Sequence, residues 1–263
     1  MNNKTFNASK DIRAALLMSR VVLFLAISDV KARYKRSVLG PLWITLGTSV
    51  GTIGLGLLWS ELFRIEPRTL IPSLTIGLIL WQFLSGIIVE APSMYVSQAN
   101  IIRNIPLPLF TFPLLLITKH LINLAHNIPI LIGVFIYFKI PVNASTFLAF
   151  PALLLVTLSM FSVSVLLGIL GTRFRDLTHI IGMTMPMMMF LSPVFYRPRY
   201  LPVNEFLIWV NPFSHWIEVI RYPLLGETPD GFLLQSNFAI LGIMVVLASW
   251  LFDRKYRQIA YWL

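Results

Sequence analysis

"FLAFPALLLVTLSMFSVSVLLGILGTRFRDLTHIIGMTMPMMMFLSPVF", residues 147–195, decides the fold. Two apolar runs, Phe147–Leu170 and Ile180–Phe195, flank "GTRFRDLTH", in which Arg173, Arg175 and Asp176 fall within four residues. A soluble core has no room for apolar runs of this length. Hydrocarbon does not accept three charges together, because an ion taken out of water without a partner is strongly disfavoured. The charged segment must lie at a border between lipid and water, with a membrane helix on each side of it.

Composition extends this reading to the whole chain. Of the 263 residues, 57% are hydrophobic and 12% charged, with a mean hydropathy of +0.77, whereas soluble domains carry about 25% charged residues. The length holds about six spans of roughly 20 residues and short connections, and no sizeable soluble domain. The net charge of +10 comes from basic residues that flank apolar runs and form no basic face, so membrane lipid and not nucleic acid is the expected partner. There is no cysteine, which excludes disulfides and thiolate metal sites. Ala14–Ile27 is broken by Arg20 and followed by no small-residue cleavage motif, so no cleavable signal is expected.

Six spans are predicted: Val38–Phe63, Leu70–Met94, Leu114–Tyr137, Phe147–Leu170, Ile180–Phe195 and Phe232–Phe252. All should be helices, because unpaired backbone groups are too costly in hydrocarbon. With six spans both termini share one side. That side holds Lys4, Lys10, Arg13, Arg20, Lys31, Arg33, Lys35, Arg36, Arg103, Arg173, Arg175, Arg254, Lys255 and Arg257. The other holds only Arg64, Arg68, Lys139, Arg197, Arg199 and Arg221. The excess of basic residues makes the termini cytoplasmic. Residues 10–36 read as an interfacial amphipathic helix, its charges facing lipid headgroups. The expected organisation is a cytoplasmic N-terminus at 1–36, a transmembrane domain at 37–252 and a cytoplasmic tail at 253–263. On the outer side "FLIWV" and "FSHWIEVIRYPLL" are too short to span and read as short re-entrant helices.

Little here points to catalysis. No GxxxxGK[ST] phosphate loop and no HExxH occur. "HWIE" places His215 and Glu218 on one helical face as a metal or acid/base pair, but Glu218 and Arg221 at i,i+3 on a surface helix account for it more simply. Lys119 lies about six residues inside its span, close enough to snorkel to the interface. Glu90, well inside a span, has no charged partner at helical spacing. An intramembrane ionisable group is a functional candidate by default, so Glu90 or Lys119 keeps a proton-coupled transporter open. A membrane-embedded glycosyl or acyl transferase is the other alternative, resting on "HWIE" alone. Gly47 and Gly51 form a GxxxG face that admits a neighbouring helix.

Four segments in order, "YKRSVLGPLWITL" (34–46), "FRDLTHII" (174–181), "SPVFY" (192–196) and "NPFSHWIEVIRYPLLGETP" (211–229), resemble the permeases of ABC-2 polysaccharide exporters, which include O-antigen, capsule and teichoic-acid permeases. The loop "SQANIIRNIPLPLF" (97–110) keeps that family's asparagine, basic and proline pattern with a single charge. The resemblance implies a homodimer in the bacterial inner membrane that exports a lipid-linked polysaccharide. Two separate ATPase subunits would bind ATP and magnesium beneath it; this chain would hold no cofactor, metal or catalytic residue. Asn100, Arg103, Arg173, Arg175 and Asp176 would contact the ATPases. Trp209, His215, Trp216, Glu218 and Arg221 would form the outer gate. Trp43, Trp59, Phe190, Phe195 and Tyr196 would line the glycan path, since sugar C–H faces pack on aromatic rings; an interfacial aromatic belt also accounts for Trp43 and Trp59.

Overall fold

The computed structural model describes residues 8–33, 35, 37, 39, 40, 42–198 and 208–263. Lys4, Arg36 and Arg199 of the charge pattern, and the predicted first-span start at Val38, lie outside the described residues. Every regular element among the described residues is helical. In chain order these are α1 (Ala8–Leu17), α2 (Ser19–Arg33), α3 (Leu42–Phe63), α4 (Pro67–Glu90), a 3-10 turn (Ala91–Ser93), α5 (Met94–Ser97), α6 (Ala99–Asn104), α7 (Thr111–Phe138), a second 3-10 turn (Ala144–Leu148), α8 (Ala149–Arg173), α9 (Leu177–Leu191), α10 (Pro212–Leu224) and α11 (Gly231–Trp262).

Among the described residues, five helical stretches are long and apolar enough to cross a membrane: those of α3, α7, α8 and α11, and the continuous run Pro67–Asn104 begun by α4. That run is 72% buried in its most apolar window, against 17% for α3 and 11% for α7. It lies at the centre of the bundle: α3, α7, α8 and α9 pack on it, and α11 packs on α8. Close approach depends on small residues. A Cβ at Gly171 of α8 would sit 2.5 Å from the Cα of Pro92 and 2.6 Å from its carbonyl carbon, so this glycine seats α8 against the bend that ends α4.

The predicted fifth span, Ile180–Phe195, is found as α9, which starts three residues earlier, ends four earlier and is too short to cross a membrane as a straight helix. α9 has 15 residues, about 22 Å at 1.5 Å per residue, against about 30 Å of hydrocarbon. It stops because Ser192 precedes Pro193, which disfavours helical backbone in the residue before it; Ser192 is extended at φ −98°, ψ 152°. The predicted interfacial helix is two helices parted at Met18. α2 lays Val22, Ala26 and Val30, one stripe at four-residue spacing, inward and packs on α7. Leu17, Val21 and Phe24 remain exposed beside Arg20 and Lys31. α11 runs unbroken past residue 252 to Trp262.

α10 is capped by Asn211, whose side chain accepts from the Phe213 N–H, and it starts with Pro212 at a first-turn position. Every residue from Phe213 to Arg221 is buried. The Phe213 ring lies 5.2 Å from that of Trp81, which stands fourteen residues into α4 from Pro67, or about 21 Å along it. The start of α10 therefore reaches deep into the bundle. This corrects the surface reading of the Glu218–Arg221 pair: both side chains are 0% exposed.

Candidate functional site

α1, α6, the turn after α8 and the last turns of α11 gather at one end of the bundle, called here the terminal end. Contact between Gly171 and Pro92 sets that turn level with the bend leading to α6. α6 has no buried residue and exposes Asn100 and Arg103. Arg173, Arg175 and Asp176 are exposed as well. Asp176 holds the N-cap position of α9 without a side-chain cap bond, where a negative charge is favoured by the positive end of the helix dipole. The Arg173 guanidinium lies 5.6 Å from the Trp262 ring, linking the turn to the C-terminal helix. Among the described residues, Arg103 and Arg175 form no ion pair. The five residues expected to contact an ATPase thus share one end and are exposed, four of them charged.

At the far end three of the five expected path aromatics meet. Trp59 of α3 stacks on Phe195 at 5.5 Å and 7°, and Phe195 touches Phe190 of α9 at 5.3 Å. The row bridges α3 and α9, with Phe195 5% and Phe190 64% exposed. Tyr196 adjoins it, its hydroxyl donating to the Leu191 carbonyl at 3.4 Å. Trp43 stands apart near the other end of α3 and is exposed.

Behind this row lies a buried charge network. Arg221 donates to Glu218, to the Tyr196 carbonyl at 3.1 Å and to the Val194 carbonyl at 3.3 Å. It thereby fastens the turn after α9 onto α10. Gly77 of α4 makes room, since a Cβ there would overlap the Val194 oxygen and an Arg221 nitrogen. Arg197 forms two hydrogen bonds to Glu227, at 2.9 and 2.8 Å, and lies over the Tyr222 ring. His215 is bonded to the Trp209 carbonyl at 2.8 Å, while Asn237 of α11 donates to the His215 carbonyl. Trp216 is buried against Phe213. The expected gate residues form one packed unit. His215 and Glu218 have separate partners, and no group of three or more His, Cys, Asp or Glu suited to a metal occurs among the described residues.

Between α3, α4 and α7 the side chains of Thr48, Gln82 and Asn127 close a ring of three hydrogen bonds at 2.8 to 3.1 Å, beside a cavity of about 190 Å³ that His120 also lines. Toward the terminal end Glu90 pairs with Lys119 and lies 3.7 Å from His120. Sequence spacing left Glu90 without a partner; its partner is 29 residues away on another helix. The pair replaces the snorkelling expected of Lys119 and ties up the carboxylate that proton coupling would use. Asp11, which sequence reasoning passed over, is buried beside the start of α7; in sequence it is one of two acids, with Asp29, in a mostly basic segment.

Several helices long and apolar enough to cross a membrane, with exposed charge gathered at one end and an aromatic row at the other, define a multi-pass membrane protein. The family described as ABC-2 type transporter matches residues 20–225, and the chain belongs to that family. It is similar to the O-antigen export system permease protein RfbA of Klebsiella pneumoniae, 22% identical over 240 residues covering 87% of this chain and 90% of that protein. It is also similar to the protein of the same name in Myxococcus xanthus, 24% identical over 252 residues covering 91% and 94%.

Proposed function

We propose that this chain is the membrane-spanning subunit of an ATP-driven exporter that carries a lipid-linked polysaccharide, O-antigen on undecaprenyl diphosphate, out of the cytoplasm. The terminal end is cytoplasmic, so α6 and the 173–176 turn meet a separate ATPase, which binds the ATP and magnesium. Two permease chains and two ATPases make the working unit. The face of α3 supports pairing: no atom lies within 4 Å of a Cβ placed at Gly47, Gly51 or Gly54, which leaves that face open for a close helix. α10 is a re-entrant helix of the outer side, and its unit with the turn after α9 forms the outer gate. The observation that carries the reading is the exposed charge of Arg103, Arg173, Arg175 and Asp176 at one end of an otherwise apolar bundle. Similarity to the O-antigen permeases supports the cargo.

Reversing the turn's acid tests the reading. In membranes holding this chain and its ATPase, Asp176→Lys is expected to lower polysaccharide export by about tenfold, a coupling loss of about 1.4 kcal/mol, at unchanged membrane abundance. Export and permease-stimulated ATP hydrolysis both at wild-type levels would make the turn a solvated connection only.

The aromatic row separates path from packing. Phe195→Ala should cost about 3–5 kcal/mol and reduce the amount of folded protein, because the ring is buried and stacked on Trp59. Phe190→Ala removes an exposed ring and should leave abundance unchanged while slowing export. Surface polysaccharide normalised to membrane protein measures both, and normal export by Phe190→Ala would take that ring out of the path.

A further inference from the structure

Asp11 belongs to α1, yet its carboxylate serves the start of α7. It accepts from the Phe110 N–H at 2.9 Å, and the Leu109 N–H and the Tyr256 hydroxyl also favour its charged form. Phe110 is the N-cap residue of α7 and supplies no side-chain cap of its own. Backbone N–H groups at a helix start lack partners within the helix and favour an anion. Asp11 fills that role from 99 residues away. α1 is held the same way, its Ala8 N–H donating to Asp253 of α11 at 2.7 Å. Two caps in series therefore run from α11 to α1 to α7, and Tyr256 of α11 closes the loop.

Packing tightens this corner. The Phe110 ring lies 4.2 Å from Phe252 of α11 and stacks on Phe161 of α8 at 5.8 Å. Burial holds the Asp11 carboxyl above its ordinary value, its hydrogen bonds offsetting only part of the rise. From α6, which ends at Asn104, to Phe110 the chain is "IPLPL" (105–109), whose two prolines fix φ and stiffen the link. A displacement of α6 therefore reaches Asp11 with little slack.

We propose that Asp11 is a positioning residue for coupling: it makes α1 and the C-terminal helix follow α6 when the ATPase moves it. The proposal rests on the reading of α6 as an ATPase contact. Without the carboxylate, α6 would still move α7, and Phe110 would still press on Phe252, but α1 would no longer be drawn along and the pull on the inner end of α11 would weaken.

Hydrogen–deuterium exchange on the reconstituted permease–ATPase complex, with and without ATP and vanadate, tests this. In the wild type, trapping should change exchange in 99–110, in 8–17 and in 250–259 together. In Asp11→Ala the response at 99–105 should persist, that at 8–17 should vanish, and export per ATP should fall by about fivefold. Asp11→Asn, which keeps one acceptor, should be intermediate. Tyr256→Phe, which removes only the hydroxyl, should reduce the response at 250–259 and spare that at 8–17; these two variants carry the test if Asp11→Ala fails to reach the membrane. A wild type in which 99–105 responds and 8–17 does not overturns the proposal. So does an Asp11→Ala protein whose 8–17 response matches the wild type. No response at 99–105 in the wild type defeats the α6 contact itself, and the proposal with it.

Discussion

Arg221→Leu is expected to destabilise the folded chain by about 3–5 kcal/mol, the usual cost of breaking a buried pair from one side. Glu218, 0% exposed, would be left without its cation, and the Val194 and Tyr196 carbonyls would lose their donor. Arg197 is no substitute, since two hydrogen bonds commit it to Glu227. The measurement is folded yield and thermal unfolding in detergent, beside membrane abundance. The double variant Glu218→Leu, Arg221→Leu should recover a large part of the loss, because replacing both charges removes the unpaired ion. A double variant as unstable as the single one would mean that the carbonyl contacts, and not the ion pair, hold the turn. A single variant of wild-type stability would remove the clamp altogether.

Gly171→Ala is the second large effect. The added methyl would meet three backbone atoms of Pro92, and backbone yields less readily than the end of a side chain. Forcing an atom into a packed contact costs about 1–3 kcal/mol, occasionally more. Here the displaced parts are α8 and the bend leading to α6, so coupling should suffer beyond the loss of stability. Gly133→Ala in α7 is the control, with nothing within 4 Å of its added Cβ; it should be neutral or stabilising by up to about 1 kcal/mol. Thermal midpoints of the two variants, measured side by side, check the contrast, and equal midpoints would refute it.

The long helices were legible because hydrocarbon imposes one requirement on every residue of a span, and an apolar run reports it directly. Boundaries were less so: the fifth span was carried through Phe195, although Pro193 makes Ser192 extended and ends α9 at Leu191. Pairings between helices were not legible. Glu90 and Lys119, like Asp11 and Phe110, meet only because α4 packs on α7 and α1 docks beside α7, and no local spacing encodes that. The i,i+3 spacing of Glu218 and Arg221 correctly gave the pair. It could not give the burial, since the same spacing serves a solvated helix and a sealed one. Trp59 and Phe195 illustrate the reverse case: each stood out as an aromatic near a span end, but their stacking needed the fold.

The ring of Thr48, Gln82 and Asn127 bears on how α3 can move. Thr45 adds a bond from the adjacent turn to the His126 carbonyl at 2.7 Å, so these ties to α4 and α7 fall within four residues of α3. Sliding α3 along its axis would break all of them at once, whereas tilting it about that turn would strain them little. The helix is thus latched more firmly in depth than in angle, like a lever on a pin. Trp59 rides the long arm, eleven residues or about 16 Å from Thr48, so a small rotation at the pin becomes a wide swing of the ring that stacks on Phe195.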